Sequence, residues 1–372
     1  MKFFMYLSLI IILVACQTKK ENTSPKIEQT AFYVGTYTDG DSKGIYKYTL
    51  KENGTLEKIG LAANSENPSF LAMSSDKKYL IAVNEISNKD TVGTVSSFLI
   101  EGDSLQPINN ISSGGAHPCH ISINEQNYIT AANYTGGNIG LLRLTENGIL
   151  SNLLDVQQHT GKGTTDRQEA PHAHSSWFIP GSNDIISVDL GTNELWFSTL
   201  DISSQKLQTS PQEKLKMADG GGPRHLTIHP NNKWIYVLNE LNGTITLVQK
   251  NTAGIYEKGF TISTLPEDYN DANSCADIHI SKDGNFVYAS NRGHNSIAVF
   301  KTNPLNGELT LVGHEATRGD APRNFSLSPD EDYVLVANQN SNNIISFSRN
   351  TDTGLLTFVD EIEAPKPVCI LF

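Results

Sequence analysis

The sequence predicts an all-β fold, a seven-bladed β-propeller of four-stranded antiparallel blades closed by the C-terminal strand. Three observations carry this prediction. One strand pattern recurs with a period near fifty residues. Hairpin signals separate alternating runs throughout. The C-terminal segment copies the start of an internal unit. Composition agrees: 34 Asn and 29 Gly among 372 residues favour turns and disfavour helices, and charged residues make up only 18 %. The chain carries 28 Lys and Arg against 40 Asp and Glu, a net charge of −12. That balance speaks against a nucleic-acid binder, which needs a basic face. One long apolar run excludes a polytopic membrane protein.

That run opens the chain. Met1–Cys16 reads MKFFMYLSLIIILVAC. Lys2 precedes an apolar stretch too short to span a bilayer comfortably, the pattern of an export signal. Leu13-Val14-Ala15-Cys16 resembles the lipobox of bacterial lipoproteins, which implies cleavage before Cys16 and its lipidation. The expected organisation is a signal peptide at 1–15, a flexible tether at 16–30 and one propeller domain at 31–372. The expected location is the bacterial cell envelope, with the lipid as the sole membrane contact. The other cysteines, Cys119, Cys275 and Cys369, lie in or beside apolar runs and read as buried thiols.

The repeating strand ends in a small residue, then Asn or Asp, then a variable residue. It appears as LIAVNE (80–85), YITAANY (128–134), IISVDL (185–190), WIYVLNE (234–240), FVYASNR (286–292) and YVLVANQ (333–339), with FYVGTY near the N-terminus. Seven such units with β patterning alone define a propeller. Within each unit an inner strand comes first, as in GPRHLTIHP or APRNFSLSP. A polar turn, the repeating strand and an outer hairpin follow. Asn53-Gly54, Asn147-Gly148, Asn306-Gly307 and Thr353-Gly354 supply hairpin chemistry. The first unit lacks an inner strand, and Ala364–Phe372 matches the APRNF pattern, so the last strand is expected to close the ring and remove its open edge.

Two positions of each unit meet at one end of the blade, because the start of one antiparallel strand lies beside the end of the next. The residues after the Pro position read Ser69, Cys119, His172, Arg224, Cys275, Arg323 and Lys366. Those after the Asn position read Thr36, Glu85, Tyr134, Leu190, Glu240, Arg292 and Gln339. His120, His174 and His225 lie one or two places further along. This gathers ionisable groups at one channel mouth of a charge-poor protein. Taken singly, Glu85 or His120 reads as structural, and the whole set also reads as interblade hydrogen bonds and rim salt bridges.

YVGTYT (33–38), NPSFLA (67–72), PHAH (171–174), GPRHL (222–226), YVLNE (236–240), YASNRG (288–293) and APRNF (321–325) together resemble the seven-bladed lactonase family. Its members include the propeller type of 6-phosphogluconolactonase and the fungal carboxymuconate-cyclising enzymes. The resemblance spans about Phe32 to Phe372. It implies catalytic roles for a histidine, His172 or His174, for Arg224 and Arg292, and for Glu240. Arg323, Lys366, His120, His225 and Glu85 are candidate substrate-binding residues. Lactone hydrolysis needs a base for water and cations or donors for the oxyanion, which a histidine or glutamate and the arginines supply. No Gly-x-Ser-x-Gly nucleophile and no carboxylate-rich metal cradle are present, so neither an acyl-enzyme nor a metal or other cofactor is expected. The expected partner is a small anionic or sugar lactone, with the protein a monomer. Export suits an unphosphorylated or otherwise acidic lactone. A non-catalytic binding propeller and a muconate-type cycloisomerase are the alternatives.

Overall fold

A computed structural model describes Met1 and residues 29–87 and 92–372. Apart from Met1, the expected signal peptide, most of the expected tether and the lipidation candidate Cys16 lie outside these residues. Seven four-stranded antiparallel sheets are formed, and the only helical element among the described residues is a single 3-10 turn, Asp166–Gln168. The strands number 28, four per blade. No helix among the described residues is long and apolar enough to cross a membrane.

Each blade places its repeating strand second, where both faces are covered. Tyr128–Asn133 and Trp234–Asn239 are buried at every position. These strands therefore carry apolar residues on both faces rather than on alternate positions. Neighbouring blades share their cores: Tyr236, Leu238 and Leu247 of blade 5 pack with Val287, Ala289 and Phe300 of blade 6. The hairpin glycines fit between blades. Gly307 and Gly354 adopt φ of +76°, and a Cβ there would strike the rings of Trp234 and Phe286 in the preceding blade. Tyr236 and Tyr288 donate their hydroxyls to the carbonyls of the same two glycines, at 2.8 and 2.9 Å.

The ring closes as expected. Pro367–Leu371 pairs antiparallel with Gln29–Thr36 and becomes the inner strand of blade 1. Val368, Cys369 and Ile370 are buried there. The backbone amide of Ile370 donates to Asn324 Oδ1 of blade 7 at 2.6 Å, tying the two ends of the ring together.

The register of this strand corrects the sequence alignment. Thr36 pairs with Pro367 and Gly35 with Cys369, as Asn338 pairs with Pro322 and Ala337 with Asn324. The counterpart of Arg323 in blade 1 is therefore Val368, and Lys366 stands where Ala321 does. Backbone geometry agrees, because Lys366, Ala321, Gly222, His117 and Asn67 all have positive φ just before the inner strand. The segment Ala-Pro-Lys-Pro offers two prolines, and the second one starts the strand.

Candidate functional site

The inner strands converge on the channel, and most carry a one-residue bulge just inside one mouth. The pairing skips Cys119 between Pro118 and His120, His174 between Ala173 and Ser175, Arg224 between Pro223 and His225, and Arg323 between Pro322 and Asn324. A bulged residue leaves the ladder and its side chain is re-aimed. These four side chains line a cavity of about 330 Å³ with Tyr37, Glu85, Tyr134, Arg167, Glu240, Ser274 and Arg292. Tyr37, Glu85, Tyr134 and Glu240 each follow the last residue of a repeating strand, and Arg292 ends one.

Glu240 organises this cavity. It is 3 % exposed, and both carboxylate oxygens are engaged. Oε2 lies 3.2 Å from Arg224 Nη1 and 3.3 Å from Arg292 Nη2. Oε1 lies 3.2 Å from Arg167 Nη2 and accepts from Ser274 Oγ at 2.9 Å. Burial alone would raise its pKa, but Arg292, Arg224 and Arg167 override that and bring it down to about 2. Glu240 is thus an ionised anchor at neutral pH. Arg292 is fixed further by donating to Ser274 Oγ and the carbonyls of Ser274 and Cys275. Arg224 donates through Nε to the Ala276 carbonyl at 2.7 Å.

His174 Nε2 lies 2.7 Å from Arg224 Nη1, which can only donate, so Nε2 accepts. The ring proton then sits on Nδ1, 3.6 Å from Cys119 Sγ. Burial, reinforced by Arg224, holds this histidine well below its ordinary pKa, so it is neutral. Burial pushes the Cys119 thiol well up. On the far side of the cavity, Arg323 Nη2 donates to Tyr37 Oη at 2.7 Å, and Tyr37 donates to Glu85 Oε2 at 2.8 Å.

The structure thus brings together His174, Arg224, Glu240, Arg292, Arg323 and Glu85. It separates four other sequence candidates from them. His172 precedes the bulge by two residues, at the Lys366 position. It stacks on Tyr134 at 4.4 Å and points its ring nitrogens to the Tyr134 carbonyl and Glu169, outside the cavity lining. Lys366 pairs with exposed Asp39 at 2.6 Å on the rim and does not line the cavity. His120 and His225 lie in the channel interior, ring to ring with Phe70 and Trp177, and are at most 2 % exposed. Cys275 also leaves the predicted ring. It pairs with Asn291, and a wider bulge holds Ala276 and Asp277 instead. The three described cysteines are free and buried.

Sequence reading missed Tyr37, Arg167, Ser274 and Asp277. Tyr37 was hidden by one-residue misalignment of the first unit, whose Thr36, not Gly35, takes the Asn position. Arg167 comes from the 159–172 connection, which has no counterpart in the repeat. That connection is pinned by His159, hydrogen-bonded through Nδ1 to Asp189 Oδ2 at 2.7 Å, and by fully buried Gln168, which donates to the Leu190 carbonyl. Asp277 accepts from His225 Nδ1 at 2.8 Å and Asn324 Nδ2 at 2.6 Å and lies 3.0 Å from His279 Nε2, joining blades 5, 6 and 7 beneath Arg224 and Arg323. Among the described residues, no group of three or more His, Cys, Asp or Glu side chains is placed to hold a metal ion.

The class is thus a closed propeller with a cationic pocket at one channel mouth, where Arg167, Arg224 and Arg292 surround ionised Glu240 and Arg323 stands across the cavity. The comparison with known proteins gives the class its family: the chain belongs to the seven-bladed β-propeller lactonases, whose family model matches residues 31–372. The 6-phosphogluconolactonase of Bacillus subtilis is 38 % identical over 298 residues, covering 79 % of this chain and 83 % of the relative. The periplasmic gluconolactonase PpgL of Pseudomonas aeruginosa superposes with a TM-score of 0.87 at 28 % identity, over 92 % of this chain and 98 % of that one. A Lactobacillus plantarum protein superposes with a TM-score of 0.87 at 33 % identity, over 93 % and 99 %.

Proposed function

We propose that this protein hydrolyses the ester of a sugar lactone, 6-phosphogluconolactone or its unphosphorylated or otherwise acidic counterparts. The observation that carries the reading is the Glu240-centred cluster. Arg224 and Arg292 are held on one carboxylate oxygen, 3.2 and 3.3 Å away, with their donors directed around a cavity of small-molecule size. Such preorganised cations stabilise the oxyanion that forms when water adds to a lactone carbonyl. Glu240 orients them, and neutral His174 accepts from the same Arg224 Nη1. Arg167 and Arg323 suit a second anionic group, a phosphate or carboxylate.

The Bacillus subtilis relative supports a phosphorylated substrate, and the Pseudomonas aeruginosa neighbour supports an unphosphorylated one. The leader-like Met1–Cys16 segment favours the latter, since an exported, lipid-anchored enzyme meets lactones outside the cytoplasm. The test is proton release by the full chain on glucono-1,5-lactone and on 6-phosphogluconolactone, each against its spontaneous opening. Saturable acceleration of either lactone is expected. Absence of acceleration on both, with binding to a protein partner, would favour a non-catalytic propeller.

A further inference from the structure

Resting on the lactonase reading, we propose that Glu85 is the general base that activates the attacking water. Two carboxylates line the cavity, Glu85 from blade 2 and Glu240 from blade 5, on opposite sides of the channel. Their surroundings differ sharply. Glu240 has three arginines and a serine on its two oxygens. A carboxylate so engaged has little basicity left. Glu85 has no ion-pair partner among the described residues. Its single side-chain hydrogen bond there is from Tyr37 to Oε2, which leaves Oε1 without a partner among the described residues.

The other lining groups are unsuited to the task. The lone pair of His174 is occupied by Arg224. Burial keeps the phenols of Tyr37 and Tyr134 and the thiol of Cys119 protonated. Glu85 is also held in place. Its backbone amide donates to the Asn67 carbonyl at 3.0 Å, and Asn67 in turn accepts from the Thr38 amide at 2.8 Å. Tyr37, braced by Arg323, holds one carboxylate oxygen. The charged and titratable groups facing Glu85 are Tyr37, Arg323 and Cys119, with Glu240 across the channel.

In the step assigned, Glu85 Oε1 takes a proton from water as the water oxygen bonds to the lactone carbonyl carbon. The carbonyl electron pair moves onto oxygen, facing the arginines. Collapse breaks the ring C–O bond, and the proton on Glu85 passes to the departing alkoxide. Lactone and water give one hydroxy acid, which then ionises to solvent. Acid–base assistance of this kind is worth about 10²- to 10⁴-fold.

The experiment measures initial rates against pH for the wild type, Glu85→Gln and Tyr37→Phe on whichever lactone the full chain opens. Glu85→Gln is expected to lower kcat by about 10²-fold or more. Its KM should change little, and the acid limb of the pH–rate profile should vanish. Tyr37→Phe, which keeps the carboxylate but frees it, should lower kcat less. An active wild type beside a Glu85→Gln variant with near wild-type kcat, or with the same acid limb, overturns the role of Glu85 alone. A wild type inactive on both lactones overturns the lactonase reading and this role with it.

Discussion

Replacing Glu240 by Gln removes the charge that three arginines share while keeping the size of the side chain. A carboxyl brought from its ordinary 4.5 to about 2 by folding contributes about 3 kcal/mol of stability at neutral pH. The residue is buried, so solvent screening does not reduce this figure much. The sign follows from the direction of the change. The contribution is complete above the unfolded pKa and is lost as pH falls toward 2. Urea unfolding of wild type and Glu240→Gln at pH 7 and pH 3 measures it. The variant should be less stable by about 3 kcal/mol at pH 7, and the gap should shrink to about 1 kcal/mol at pH 3. A gap below about 1 kcal/mol at pH 7, or one equal at the two pH values, would show that Glu240 is not the electrostatic centre of the cavity.

Asp277→Asn should cost about 3 kcal/mol by urea unfolding, because a buried acceptor shared by His225, His279 and Asn324 loses its charge. Its carboxyl is held well below the ordinary range by His279 and His225 against the effect of burial, so this loss too should fade as pH drops below the unfolded carboxylate pKa. Lys366→Ala should leave kcat/KM within about twofold and stability within about 0.5 kcal/mol, since its rim ion pair with Asp39 is exposed. A large loss of activity in that variant would restore Lys366 to the site.

The architecture was legible because it is written in a period. Second strands such as WIYVLN and YVLVAN announce themselves by continuous burial and a fixed terminal Asn, and the hairpin glycines mark the outer turns. The candidate site was legible where it follows the repeat: Arg224 and Arg323 share the position after the Pro, and Glu85, Glu240 and Arg292 share the position after the Asn. Errors arose where the repeat is locally offset. Two prolines before the closing strand moved Lys366 into the ring in place of Val368, and two histidines in PHAH left His172 and His174 unresolved until the bulge at His174 separated them. Bulges are set by strand pairing, which spacing alone does not reveal. Arg167 was out of reach for a different reason. It arrives from a connection peculiar to one blade and reaches Glu240 across 73 residues of sequence.

The most direct measurement is the kcat/KM of Arg292→Ala against wild type on the lactone the wild type opens, with the fold checked by circular dichroism. Arg292 touches Glu240 and lines the cavity, with its side chain 17 % exposed. If this cavity stabilises the oxyanion of lactone hydrolysis, kcat/KM should fall by about 10²- to 10³-fold with the propeller intact. A folded Arg292→Ala variant within about twofold of wild type would contradict the assignment of the chemistry to this cavity.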